Sequence, residues 1–280
     1  MNKKKTIIGA CVAVAACALI YVCVYFFADR TNEFWLTASN MRALKGHDNV
    51  AFKLFGPLHL TELAIGLTLC ITASHFFKKA DEDTRKKILI VLALAISFEE
   101  IFKDIVFLAT GQFDLEGLPF HLCGVNIFIT LWYAFKKNDY IAEFLYAFGL
   151  SGTWVALLTT SWQACPLNNF SHLHSVSFHI ILAVFCSLVI AGGHRPHVWN
   201  IWKVFVILAL TMIPAIIFDL AFDTNFFFLK RTENNPVLEA LASTFGKFYL
   251  VGLAGLAVIG VLIMYIPWII RDIVIACKKS

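Results

Sequence analysis

Apolar runs of about 20 residues recur along this chain, separated by short polar segments. A helix rises about 1.5 Å per residue, so each run is long enough to cross a hydrocarbon core of roughly 30 Å. In lipid the backbone has no water to bond, so its polar groups must be satisfied within the segment, as a helix does. The fold class that follows is all-α: a polytopic transmembrane helical bundle. Composition agrees, with 59% hydrophobic and only 15% charged residues, against about half and a quarter in soluble domains.

Eight spans are expected, near 6–27, 56–77, 88–109, 118–135, 140–161, 174–192, 200–220 and 247–270. Lys3-Lys4-Lys5 before an apolar run resembles a signal peptide, but the run continues to Phe27. That length favours an uncleaved first span. Positive charge orients the set. With the N-terminus inside, inner segments carry fifteen Lys and Arg, among them Lys78, Lys79, Arg85, Lys136, Arg195, Lys203 and Arg271. Outer segments carry seven: Arg30, Arg42, Lys45, Lys53, Lys230, Arg231 and Lys247. Both termini are therefore expected in the cytoplasm. The chain reads as a single transmembrane domain over 1–280, without internal repeats. The segments 28–55 and 221–246 are long enough for short surface or re-entrant helices.

The basic residues form no long basic face, which argues against nucleic acid as a partner. Membrane lipids are the expected partners; the oligomeric state is left open. Eight cysteines make no C-x-x-C pair and mostly sit inside apolar runs, so neither a disulfide framework nor a zinc ribbon is expected. No metal-ligand spacing and no nucleotide-binding loop occurs, so no cofactor is implied.

Polar residues gather at one depth. His59 starts the second span; Glu99, Glu100, Lys103 and Asp104 lie late in the third; His121 and Cys123 begin the fourth. Gln163 ends the fifth, His172, His174 and His179 begin the sixth, and Asp219, Asp223 and Asn225 end the seventh. Glu99 and Lys103 are four apart and share a helix face, as do Glu100 and Asp104. They are either a structural ion pair or groups that orient a histidine or bind a head group. His172, Ser175 and His179 line one face of the sixth span. A membrane histidine is either an interhelical hydrogen-bond donor or a proton carrier.

Cys123 follows Pro119, which suits a first helical turn, where N–H groups and the dipole favour an anion. His121 is two residues away, about 200° around the helix, so it faces elsewhere. A histidine from another span, best His179, is the more natural base. Asn126 shares the face of Cys123 and could donate to an oxyanion. The alternative is a packed structural cysteine.

Leu118-Pro119-Phe120-His121-Leu122-Cys123 resembles the L-P-x-H-L-C signature of the YwaF-like integral membrane proteins, which include eukaryotic transmembrane protein 164. Phe55-Gly56-Pro57-Leu58-His59 resembles an F-x-P-x-H element of that family. Phe148 to Gly152 with Leu157-Leu158-Thr159 resembles its fifth-span stretch, and Asn225 to Leu229 with Pro236 its N-x-x-x-L…P segment. The family core would cover about 50–270, with 1–30 as an extra N-terminal span. Thr160 stands where the family often has Pro.

The resemblance implies a membrane-embedded lipid acyltransferase, or an acyl hydrolase if water replaces the acceptor. Cys123 would be the nucleophile and His179 its base, with Asn126 assisting. His59, Glu99, Glu100, His121 and Asn225 would bind or orient substrate at the outer-leaflet side. A bacterial-type plasma membrane is the expected location. The alternative is a non-enzymatic lipid or small-molecule carrier, or a scaffold protein.

Overall fold

The computed structural model describes residues 19, 21–26, 28–29, 32–46, 49–233 and 235–277. The expected first span falls almost wholly outside them. Among the described residues the elements are all helical. They are α1 (Ala38–Lys45), α2 (Pro57–Lys79), α3 (Glu82–Thr110), α4 (Leu122–Phe135), α5 (Asp139–Leu158), α6 (Phe170–Ala191), α7 (Ile201–Phe222), α8 (Pro236–Phe245) and α9 (Tyr249–Cys277). The long helices alternate in direction, so α2, α4, α6 and α9 begin where α3, α5 and α7 end.

Six stretches are long and apolar enough to cross a membrane: α2, Leu115–Phe135, α5, α6, Val198–Phe222 and Pro236–Cys277. The segment expected at 88–109 is α3. Its 29 residues make it about 43 Å long, but its charges set it apart from the six. It packs along α4 and α6, which supply partners for those charges.

Local chemistry sets the ends. Pro57 sits in the first turn of α2, where its missing N–H costs nothing. The Asp81 side chain caps α3 by accepting from Thr84 N at 2.8 Å. Asn169 caps α6 by accepting from His172 N, so α6 begins four residues earlier than expected, at Phe170. Helix α4 starts later than expected, at Leu122, with extended His121 as its cap residue. Pro119 therefore lies in the turn before the helix, and Cys123 is the second helical residue.

Two glycines permit close approaches near that start. A Cβ on Gly124 would lie 2.6 Å from Pro119 Cα, so Gly124 lets the preceding turn fold back over α4. A Cβ on Gly149 would lie 2.8 Å from Cys186 Sγ and 3.3 Å from Asn126 Oδ1. Gly149 belongs to a π-helical segment, Leu145–Leu150, that interrupts α5. Such bulges widen a helix locally and often accompany functional sites.

Helix α6 is the central post, packed against α2, α3 and α5. One end of the bundle carries Lys78, Lys79, Arg85, Lys136, Arg195, Lys203 and Arg271; we call it the basic end. The other, the polar end, is covered by the segment containing α1. Ala51 N donates to Gln163 O at 2.7 Å, Asn49 Nδ2 to Ala164 O at 3.1 Å, and Arg42 to Ser161 O. Asn169 Nδ2 reaches back to Glu33 O and Leu36 O at 2.8 and 3.0 Å.

Candidate functional site

The polar residues anticipated at one depth do collect at the polar end, and Lys103 takes its i−3 rather than its i−4 partner. Lys103 Nζ takes Glu100 Oε1 at 2.6 Å, Gly117 O at 2.6 Å and Asp104 Oδ1 at 3.2 Å. Those three acceptors match the three donors of an ammonium group. Glu99, expected to pair with Lys103, instead accepts from Ser177 Oγ at 3.1 Å. Glu99 and Glu100 are both within helical reach of Lys103; Gly117 O, from the turn before α4, holds the lysine on the Glu100 side, and α6 offers Glu99 a hydroxyl.

Glu100 links several helices. Its second oxygen lies 4.0 Å from His174 Nε2. Its charge also lies within electrostatic reach of the Cys123 thiol. Cys123 is half-buried, and Cys186 of α6 is within the same reach.

His179 lies two turns before Cys186 on the same face of α6. Its Nδ1 donates to Ser175 O at 2.6 Å. A carbonyl only accepts, so Nδ1 carries the proton and Nε2 keeps its lone pair. The ring stacks on Trp162 at 5.3 Å between centroids. Asn126 Nδ2 donates to Leu122 O at 2.8 Å, while its Oδ1 has no partner.

Three residues expected to meet substrate are engaged elsewhere. His59 is buried; its Nδ1 accepts from Phe55 N at 2.8 Å, so Nε2 donates to Leu157 O at 2.7 Å. It clasps the start of α2 to the end of α5. Asn225 donates to Arg231 O and Glu233 Oε1, both at 2.9 Å, and accepts from Lys230 N and Arg231 N. Its hydrogen-bonding capacity is filled by its own loop. His121 turns toward that loop, its ring 5.1 Å from Phe226 and 5.0 Å from Phe228. His172, fully buried, joins Cys165 O at 3.0 Å and Glu62 Oε1 at 2.7 Å, pinning α6 to α2.

What remains is a set of buried atoms with no hydrogen-bond partner in the protein. Seven occur among the described residues; one, Asp104 Oδ1, is the ion-pair partner of Lys103. The other six are His121 Nδ1, Asn126 Oδ1, Thr160 Oγ1, Trp162 Nε1, His174 Nε2 and Asp219 Oδ2. All belong to the polar end. Buried polar atoms are nearly always paired, with water when not with protein, so this cluster marks a place suited to water or to a polar part of a ligand. Among the described residues no three His, Cys, Asp or Glu side chains converge as metal ligands.

Sequence reasoning missed Gly124, Gly149 and Glu143. The glycines carried no turn signal, because their role is to admit a neighbour. Glu143 is fully buried in α5 and accepts from Tyr265 Oη at 2.8 Å, His197 N at 2.7 Å and His194 Nε2 at 2.9 Å. A glutamate within an apolar run was the available signal.

These features define a class, the polytopic all-α membrane proteins. Within that class the chain belongs to the TMEM164 family, whose family model matches residues 54–265, about three quarters of its length. No curated protein and no solved structure gives a match.

Proposed function

We propose that this protein transfers an acyl chain between membrane lipids, with Cys123 as nucleophile and His179 as base. The observation that carries the reading is the cluster of unpartnered buried polar atoms at the end where the Cys123 thiol and the free Nε2 of His179 both lie. Family membership adds the expectation of lipid chemistry. The excess of basic residues at the opposite end supports an outer-leaflet position for the polar end under the positive-inside rule; a bacterial-type plasma membrane is part of the same proposal.

The proton moves as the bond forms, because in a dry interior a standing thiolate and imidazolium would both be costly. The Cys123 thiol gives its proton to His179 Nε2 while the sulfur attacks the ester carbonyl of a donor lipid. First-turn N–H groups of α4 would stabilise the developing oxyanion, with the second Nδ2 hydrogen of Asn126, whose first is held by Leu122 O, as a further donor. Collapse breaks the C–O bond, and the departing alkoxide takes the proton from His179. A thioester remains on Cys123. An acceptor hydroxyl then gives its proton to His179 and attacks the thioester, and the released thiolate recovers that proton. Water in place of the acceptor gives hydrolysis.

The test is to expose the full chain in native lipid to a phospholipid with a labelled acyl chain and map the thioester by its sensitivity to hydroxylamine. The label is expected on Cys123 alone and absent from Cys123→Ala. Label spread over several cysteines, or lipid turnover unchanged in Cys123→Ala, would overturn the reading in favour of a carrier.

A further inference from the structure

At the basic end a second site is built from different chemistry. A cavity of about 450 Å³ opens between the ends of α2, α6 and α9. Lys78 on α2, Arg195 just beyond α6, and Arg271 on α9 line it, with the hydroxyls of Ser74 and Ser187. Trp268 holds the two guanidinium groups, whose central carbons lie 5.8 Å (Arg195) and 4.9 Å (Arg271) from its ring centre. Planar cations stack on indole in this way at modest cost in mobility.

The charge is unbalanced. Arg271 pairs with Asp272 at 2.7 Å. Among the described residues Lys78 and Arg195 have no carboxylate within ion-pair distance. Nor is Lys78 occupied in capping its own helix, because Arg85 binds the Phe77 and Lys78 carbonyls at 2.9 and 2.5 Å. Three cations thus face one carboxylate in a cavity that also offers hydroxyl donors.

We infer that this cavity binds the phosphate head group of an anionic phospholipid. The acyl chains would run along the apolar flanks of α2 and α9, which expose Ile71, Ile263 and Ile270. Basic pockets between transmembrane helices on the cytoplasmic side suit such head groups, and tryptophan favours the same interfacial depth. This site is independent of the acyl-transfer reading and lies at the opposite end of the bundle from Cys123.

The test uses the full chain in neutral detergent, with thermal unfolding followed as phosphatidylglycerol, phosphatidylcholine or soluble glycerol phosphate is added. Phosphatidylglycerol is expected to stabilise, and phosphatidylcholine to do so far less. Replacing the three cations together (K78Q, R195Q and R271Q) should weaken apparent lipid affinity on the order of 100-fold, about fivefold per cation. The charge-preserving set K78R, R195K and R271K controls for folding and should retain most binding. Asp272→Asn, which removes the lone carboxylate, should tighten binding. Equal stabilisation by phosphatidylcholine, equal loss in the charge-preserving set, or full protection by glycerol phosphate alone would each overturn a lipid head-group site.

Discussion

Two buried carboxylates at opposite ends of the bundle, Glu143 and Asp219, are held in different ways. At the basic end Glu143 is fully buried and receives three hydrogen bonds, from a tyrosine, a histidine and a backbone amide. At the polar end Asp219 is also buried; one oxygen accepts from Thr224 Oγ1 and Phe226 N, and the other has no partner. A buried carboxylate with both oxygens engaged is a staple that fixes helix positions. A buried polar group left short holds capacity for something that comes and goes.

The sharpest way to break this contrast is to remove Cys123. Cys123→Ala should abolish the thioester with little change in unfolding temperature. His179→Ala should slow thioester formation by about 100-fold or more, the usual size of a general-base effect. Rapid-quench labelling reads both. Glu143→Ala should do the reverse. It strands the buried Tyr265 hydroxyl and frees the part-buried His194 ring and His197 N–H bonds, and should cost roughly 1–3 kcal/mol, seen as a fall in melting temperature with labelling per folded molecule preserved.

Gly124→Ala tests how Cys123 is placed. Its methyl would strike the Pro119 backbone, so the turn must shift, at about 1–3 kcal/mol, and Cys123 labelling should fall more than stability does. Cys165 tests the cover over the polar end. It lies in the connection between α5 and α6, and burial pushes its thiol up to about 11. Its folded value is raised, so its stabilising contribution is present below the unfolded value near ~8.5 and declines as pH rises from there toward 11. Unfolding measured from pH 7 to 10 should show this slope, at most about 1.4 kcal/mol per pH unit, and Cys165→Ala should flatten it. The smallest effect is expected for His174→Phe. It replaces a buried ring nitrogen lacking a partner with an apolar edge, so stability should stay level or rise by less than about 1 kcal/mol while lipid turnover drops. A large loss of stability there would show that the polar end is as fully satisfied as Glu143.

Much of this was legible in the sequence, and the remainder divides cleanly. Run length and apolar composition determined the helical class, because lipid leaves a spanning backbone few alternatives. The depth of each polar residue followed from its place within its run. The caps at Asp81, Asn169 and Pro57 follow from side chains adjacent to the backbone they serve. Tertiary structure decided everything that depends on a neighbouring helix. Spacing of four offered Glu99 to Lys103 and spacing of three offered Glu100; Gly117 O, from outside the helix, holds the lysine on the Glu100 side. The bonds of His59 to Leu157 and of Asn225 to Lys230, Arg231 and Glu233 were likewise set by packing. Glu143 looked like an exception in an apolar run until Tyr265, far along the chain, met it. Helical periodicity reports which residues share a face; what lies opposite that face is set by packing, and in a dry interior the opposite group determines whether a polar side chain is a staple or a site.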